Sequence, residues 1–229
     1  MRIAETFISI QGEGKLAGVP SLFIRVSGCN LRCRWCDTSY ASWEAEGDDW
    51  SLDRITAVVA ESSVRNVVIT GGEPLIMPDL DQLCFAVQAL QRHVTVETAG
   101  TIYVPLPVDL VSLSPKLSNS TPDAQSGGSW VQTHERRRLN VPVLQQFIDT
   151  APNLQLKFVI QNHEDLDEVR GLLSMLRNWR QEDVLLMPEG KDPEILQERS
   201  LWLVEQCKTL GYRFTPRLHV GLWGNRRGV

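Results

Sequence analysis

Short apolar runs rich in Val, Ile, Leu and Phe recur along the chain, and between them lie longer stretches in which apolar positions return every three or four residues. The first pattern suits strands buried on both faces, the second amphipathic helices. The sequence thus predicts strands over 3–8, 22–26, 66–70, 94–97, 110–113, 154–159, 184–187 and 213–215. It predicts helices over 52–62, 80–91, 142–150, 166–178 and 193–210. In the fourth helix Leu166, Val169, Leu172, Leu173 and Leu176 fall on one face. The last has Pro193 in its first turn and Gly211 at its end, the residues that favour a start and a stop. Alternation of strand and helix is the mark of parallel strands joined by crossovers, and no internal repeat is present. The stretch 117–133, rich in Ser, Gly, Asn, Thr and Gln, reads as a long loop of the kind that serves as a lid or mobile segment.

Residues with chemical potential follow successive strands. Gln11-Gly12-Glu13-Gly14 comes after the first, Cys29, Cys33 and Cys36 after the second, and Gly71-Gly72-Glu73-Pro74 after the third. Thr98-Ala99-Gly100 and Ser114-Pro115-Lys116 follow the fourth and fifth. In a parallel barrel such loops converge on one face, where catalytic residues collect. A complete eight-fold barrel takes about 250 residues. The 229 residues here point instead to a shortened, partly open α/β barrel of the (β/α)6 type, one domain over 1–229.

Composition narrows the function classes. The chain is 42% hydrophobic without an apolar run of membrane-spanning length, which argues against a membrane role. The N-terminus MRIAETFISIQGEG lacks a basic segment followed by an apolar core, so no targeting peptide is read and a cytoplasmic location is expected. A net charge of −5 argues against a nucleic-acid surface, and Arg136-Arg137-Arg138 reads as a solvated helix start. Of five cysteines, Cys84 in LCFAVQAL and Cys207 in LWLVEQCKTLG read as small buried hydrophobes. No disulfide framework is suggested, as suits a reducing compartment.

The remaining three, in GCNLRCRWCDT, have the spacing C-x3-C-x2-C. Three thiolates hold three corners of an iron-sulfur cube and leave one iron open to a non-protein ligand. A zinc site completed by His93, His134, His163, His219, Cys84 or Cys207 is the alternative, because thiolates suit both metals. The other motifs also have two readings. Gly71-Gly72-Glu73-Pro74 is either a tight strand-to-helix turn or a backbone that approaches a ligand closely. Gln11-Gly12-Glu13-Gly14 by itself is a turn. Arg25, among apolar neighbours in LFIRV, needs a carboxylate: an internal pair with Glu97, or an anionic substrate held bidentately. Asp37 and Thr38 offer hard oxygens to magnesium, or a helix cap. His219 alone would pass as a surface or packing residue.

The N-terminal third, FISIQGEGKLAGVPSLFIRVSGCNLRCRWCDTSY, resembles the 7-carboxy-7-deazaguanine synthase family of radical S-adenosylmethionine enzymes. VVITGGEPL, VETAGT, SLSPKL and RLHVGLWGNRRGV extend the resemblance over most of the chain. The resemblance implies a 4Fe-4S cluster on Cys29, Cys33 and Cys36, with S-adenosylmethionine at its open iron and Mg2+ on Thr38. It implies abstraction of hydrogen from 6-carboxy-5,6,7,8-tetrahydropterin by a 5'-deoxyadenosyl radical, then ring contraction with loss of ammonia, a lyase reaction of queuosine and 7-deazapurine biosynthesis. By the same resemblance Ile10, Gln11, Gly12, Glu13, Arg25, Thr98 and His219 meet the pterin, with Glu13, Arg25 and His219 catalytic. Trp35, Asp37, Gly72, Glu73, Gly100, Ser114, Pro115 and Lys116 line the S-adenosylmethionine site, and Lys157 with Met187-Pro188-Glu189-Gly190 meets the nucleoside. Relatives are homodimers reduced by flavodoxin or ferredoxin, and their C-terminal tail, here 217–229, lies near the active site. Some end in a carboxylate that reaches it, whereas here Gly221 through Val229 follow His219. The rivals are an activase that installs a glycyl radical on a partner protein and a non-catalytic zinc or iron-sulfur module.

Overall fold

The computed structural model describes residues 1–229. Its strands are β1 Arg2–Ile10, β2 Pro20–Val26, β3 Asp48–Asp49, β4 Asn66–Gly71, β5 His93–Thr98, β6 Leu110–Leu113, β7 Leu154–Ile160, β8 Val184–Pro188 and β9 Arg213–Phe214. They form one sheet in the order β3-β1-β2-β4-β5-β6-β7-β8-β9. The strands β2 and β4 through β8 run parallel, and the sheet does not close, leaving the partly open six-unit barrel that the sequence predicts. All eight predicted strands are present, whereas β3, two acidic residues with no apolar pattern, gives no sequence signal.

Alternation along the strands divides the sheet into two faces. Ile24, Ile69, Val96, Leu113, Phe158 and Leu186 face outward and belong to one core cluster of 34 buried residues packed under the helices. Arg25, Thr70, Glu97, Ser112, Gln155 and Lys157 occupy the opposite, inner face. There Thr70 Oγ1 donates to Glu97 Oε2 at 2.7 Å, and Gln155 Nε2 to Ser112 Oγ at 2.7 Å. A polar layer inside the barrel is thus already prepared for a ligand.

The first strand departs from the parallel reading. Ile3 pairs with Val26 and Ile10 with Pro20, so β1 is antiparallel to β2 and ends beside the start of β2. The connection between them is too short for a crossover, which takes about a dozen or more residues. Gln11–Gly14 therefore leaves at the end remote from the cysteines and meets the polar inner face from that end, where Gln11 Nε2 donates to Glu97 Oε1 at 3.1 Å. Three bonds fix it there: Gly14 N–H to Thr215 Oγ1 at 2.6 Å, Lys15 N–H to Gln155 Oε1 at 2.7 Å, and Lys15 Nζ to Leu154 O at 2.6 Å. Lys15 also pairs with Asp183.

Helix ends follow their caps. His163–Met175 starts three residues before the predicted Leu166, because Asn162 and Asp165 form a capping box. Pro193–Leu210 starts on Asp192, whose side chain accepts from the Glu194 and Ile195 amides, and stops at Gly211 with φ +70°. The stretch 117–133 is not an open loop: it contains the helix Ala124–Gly127 and the start of Trp130–Arg137. Arg136–Arg138 accordingly closes that helix rather than opening one, and Arg138 pairs with Glu135 at 2.8 Å and Glu168 at 2.7 Å. Cys84 and Cys207 are buried in the core, as expected. No helix is long and apolar enough to cross a membrane.

Candidate active site

Cys29, Cys33 and Cys36 line one cavity of about 160 Å3 at the ends of the parallel strands. The loop that carries them is held by backbone contact. Gly72 N–H donates to Val26 O at 3.1 Å, Glu73 N–H to Gly28 O at 2.9 Å, and Gly28 N–H to Ala41 O at 2.8 Å. A Cβ at Gly72 would run into the Gly28 carbonyl, and Gly71 has φ +125°. These glycines therefore let two backbones touch at the root of the cysteine loop. Farther along, Trp43 Nε1 donates to Cys33 O at 3.1 Å and Lys191 Nζ to Cys36 O at 2.6 Å.

The stretch 117–133 and the helix after it brace this loop from outside. Buried His134 accepts the Arg32 N–H at Nδ1 (3.1 Å), so Nε2 carries the proton and donates to Ser120 Oγ at 2.9 Å. Arg34 N–H donates to Ser120 O at 2.9 Å, and Trp35 Nε1 to Asn119 Oδ1 at 3.1 Å. His134→Ala should therefore leave the Arg32 N–H without its acceptor and Ser120 Oγ with only its bond to Leu117 O, lower stability by about 1–3 kcal/mol and speed release of iron from the loaded protein. Thermal unfolding and iron-release kinetics check this, and an unchanged release rate would count against the brace.

The donor set fits an iron-sulfur cube better than zinc. Zinc thiolates at Zn–S of about 2.3 Å lie roughly 3.8 Å from one another, whereas the three cysteine sulfurs do not gather within 4.8 Å. Burial pushes the Cys29 thiol up to about 12 and the Cys33 thiol up as well. Such thiols ionise when a bound metal compensates their charge.

A larger cavity of about 410 Å3 adjoins the first and shares Glu13, Asp37, Thr38, Thr70, Gly71 and Glu97 with it. Phe7 and Phe23 form its apolar wall, their rings stacked 5.0 Å apart. Arg25 does not pair with Glu97. Its Nε donates to Glu5 Oε1 at 2.7 Å, the residue directly across the ladder in β1, while Glu97 accepts from Gln11 and Thr70.

Glu13 is the centre of the polar network. Its Oε2 accepts from Lys157 Nζ at 2.5 Å, its Oε1 accepts from Arg217 Nε at 3.0 Å, and His219 Nε2 lies 4.0 Å from the same oxygen. Burial raises the Glu13 carboxyl, but Lys157, Arg217 and His219 outweigh it and hold it far below the usual carboxylate range. Burial also disfavours the Lys157 charge, yet Glu13 keeps it above its ordinary value. Burial lowers His219, against the pull of Glu13. Glu13, Asp37 and His219 approach one another within 4.8 Å, but the two cations already neutralise Glu13, and Arg217 also pairs with Asp37.

The structure brings most of the expected residues together. Ile10, Gln11, Gly12, Glu13, Arg25 and His219 line the larger cavity, and Trp35, Asp37, Thr38, Gly72, Thr98, Ser114, Lys116, Lys157, Met187 and Glu189 the smaller. Lys116 Nζ donates to Ser114 Oγ at 3.0 Å. Glu73 lies behind the wall: its carboxylate accepts from Thr98 Oγ1 at 2.6 Å, Ala99 N–H at 2.8 Å and Leu75 N–H at 3.1 Å. Burial raises its carboxyl against those bonds. Gly100, Pro115, Pro188 and Gly190 also stand off the cavity surface, and Gly190 accepts from Arg217 through its carbonyl. Thr38 precedes the helix Ser39–Ser42 without a side-chain cap bond, so its hydroxyl is not spent there. Leu218 N–H donates to Gly12 O at 2.9 Å, which seats His219 against Gly12, and Val229 reaches the larger cavity with residues 225–228.

Sequence reasoning missed Arg217, an 8% exposed arginine two residues before His219. Its signal was the one that singled out Arg25, a cation beside apolar residues. Lys191 and Glu5 were missed as well; neither stands in a motif.

Comparison with known proteins identifies the family. Residues 23–121 match the Radical SAM superfamily. The chain is 43% identical over 227 residues to 7-carboxy-7-deazaguanine synthase of Rhodopirellula baltica, covering 99% of this chain and 88% of that one. It is 45% identical over 233 residues to the enzyme of the same name in Halobacterium salinarum, covering 97% and 90%. The chain belongs to the 7-carboxy-7-deazaguanine synthase family. A solved structure of QueE from Escherichia coli is similar at TM-score 0.68 and 27% identity, covering 95% and 94% of the two chains. Streptococcus suis SuiB bound to precursor peptide SuiA, at TM-score 0.60 and 14% identity over 87% and 49%, shares the fold alone. As a member of its family the chain is a radical S-adenosylmethionine enzyme and a lyase, a class that uses a 4Fe-4S cluster and S-adenosylmethionine. The zinc-module and activase readings are not favoured.

Proposed function

We propose that this enzyme converts 6-carboxy-5,6,7,8-tetrahydropterin to 7-carboxy-7-deazaguanine and ammonia. The observation that carries this reading is the shared wall between the two cavities, which sets a polar pocket with an aromatic side directly beside the cysteine loop. The conversion is redox-neutral, since substrate minus ammonia has the composition of the product, so no external oxidant is consumed. When bound, the cluster and S-adenosylmethionine supply the electron and the organic radical that exchanges hydrogen with the substrate.

The protein's own residues place the substrate. Phe7 and Phe23 offer a flat apolar surface to a fused ring. Ionised Glu13, anchored by Lys157 and Arg217, presents an acceptor to ring N–H and amino donors. Arg25 presents its free guanidinium edge to the substrate carboxylate. His219, whose charged form burial disfavours, stands beside Glu13 and can exchange a proton with the departing amine. Lys116 and Ser114 line the S-adenosylmethionine side, and buried Glu73 keeps the Thr98–Gly100 turn in place there. Thr38 faces both cavities and would give Mg2+ one oxygen, with water and the substrate carboxylate completing the shell, as suits an ion that takes few protein ligands. A homodimer reduced by flavodoxin or ferredoxin, acting as a single domain in the cytoplasm, completes the reading.

The test is an oxygen-free assay with reconstituted protein, dithionite, S-adenosylmethionine, magnesium and the carboxypterin, following the deazaguanine by mass; no product under these conditions would refute the assignment. In the same assay Thr38→Ala should retain its iron and lose the stimulation by magnesium. A titration identical to that of the unaltered enzyme would remove magnesium from Thr38.

A further inference from the structure

Glu5 divides its carboxylate between two parts of the larger cavity. Oε1 accepts from Arg25 Nε at 2.7 Å and from the Tyr40 hydroxyl at 2.7 Å, while Oε2 accepts from Arg227 Nε at 3.1 Å. Arg227 is further fixed by Glu46 Oε2 at 2.9 Å and by the Tyr40 ring, 3.9 Å from its guanidinium carbon. From there residues 225–229 run along the cavity mouth.

Arg25 has no hydrogen-bond partner other than Glu5, and its guanidinium carbon stands 5.6 Å from the centre of the Phe7 ring. It donates only through Nε, so its two terminal nitrogens remain for a ligand, and it lines the cavity. A guanidinium held by Nε alone exposes the fork edge that matches a carboxylate bidentately. Other acids on the cavity are occupied: Glu97 by Gln11 and Thr70, Asp37 by Arg217. Glu5 is thus the group that aims this arginine.

We propose that Glu5 is a positioning residue for the substrate anion: one oxygen directs the free edge of Arg25 into the cavity, and the other latches residues 225–229 across its mouth, coupling carboxylate binding to closure of that segment. This rests on the carboxypterin reading of the site. Coupling between two positions is reciprocal, so a ligand that fixes Arg25 against Glu5 also tightens the latch.

The test uses cluster-loaded, S-adenosylmethionine-bound enzyme and two ligands, the carboxypterin and tetrahydropterin lacking the carboxylate. Dissociation constants are measured together with hydrogen exchange of residues 225–229. Glu5→Gln should weaken the carboxypterin about tenfold or more while changing the carboxylate-free ligand less than about twofold. Exchange of the segment should rise and no longer respond to the carboxypterin. Arg227→Gln, on the surface, should raise the same exchange and weaken the carboxypterin by only about two- to threefold. Equal losses for both ligands in Glu5→Gln would make Glu5 a structural residue only, and unchanged exchange in both variants would overturn the latch. If the unaltered enzyme itself bound the two ligands equally, the anion reading of Arg25 would fail instead, a result separable from either variant's.

Discussion

Cys33→Ala abolishes turnover and leaves the reconstituted protein with little bound iron: this is the largest expected loss. A cube anchored by three thiolates has no spare ligand, and Cys33 is the most deeply placed of the trio, with its carbonyl tied to Trp43. The fold should survive. Cys33 packs only in a small cluster with Leu31 and Ala99, separate from the main core, so removing its sulfur costs about 1 kcal/mol. Iron analysis, visible absorbance and circular dichroism together check the prediction. Normal iron content with normal turnover would refute the ligand assignment, whereas a collapsed circular dichroism spectrum would make the loop structural.

Arg217→Gln should be the most costly substitution outside the cysteines. Its guanidinium joins Glu13, Asp37 and the Gly190 carbonyl, on three separate segments, of which the last two are also tied by Lys191 Nζ and Cys36 O. Removing one partner from a buried ion pair costs about 3–5 kcal/mol. Lys157 remains on Glu13 and Asp37 is partly exposed, so about 2–3 kcal/mol is expected, a fall in Tm of about 5–10 °C for a chain of this size. The pH dependence has a definite sign. The Glu13 carboxyl is depressed below its ordinary 4.5, so the stability it contributes is complete above that value and lost only as pH falls through the lower native one. The deficit of the variant should accordingly be full at neutral pH and shrink on acidification below 4.5. Substrate KM should rise in parallel, because Glu13 loses one of its two anchors, and Arg217→Lys should recover part of the stability and less of the KM. A melting temperature within a degree or so of the original would exclude this network as a support of the site.

Much of the barrel was legible because the outward positions of the strands are apolar and recur at strand spacing, and the cysteine loop because three soft ligands in eight residues have few other uses. The orientation of β1 was legible in principle, since the connection to β2 is too short for a crossover, yet alternation alone says nothing of strand direction. Arg25 announced itself by standing in an apolar strand, but its partner could not be chosen from sequence: Glu97 and Glu5 are both acids in strands, and only register puts Glu5 across from it. Arg217 was missed because its three partners are 27 to 204 residues away. The stretch 117–133 looked like a loop because Ser, Asn and Gly dominate it, while the anchor that orders it, His134, lies just past its end. Gly72 lines the smaller cavity, while the Glu73 carboxylate is taken up by Thr98, Ala99 and Leu75, partners that the motif itself does not reveal. A motif marks where backbone must be exact in shape without saying what presses against it.

The plug formed by Gly14 and Lys15 has a consequence for biosynthesis. Gly14 is bonded to Thr215, 201 residues later in the chain, and Lys15 to residues near 154 and 183. At a synthesis rate of about 5–20 residues per second, the segment emerges from the ribosome roughly 10–40 seconds before its last partner exists. During that interval the nascent N-terminal hairpin has polar anchors without seats. Contacts of such long range slow folding, so the polar network around Glu13 should be among the last regions of the newborn molecule to assemble.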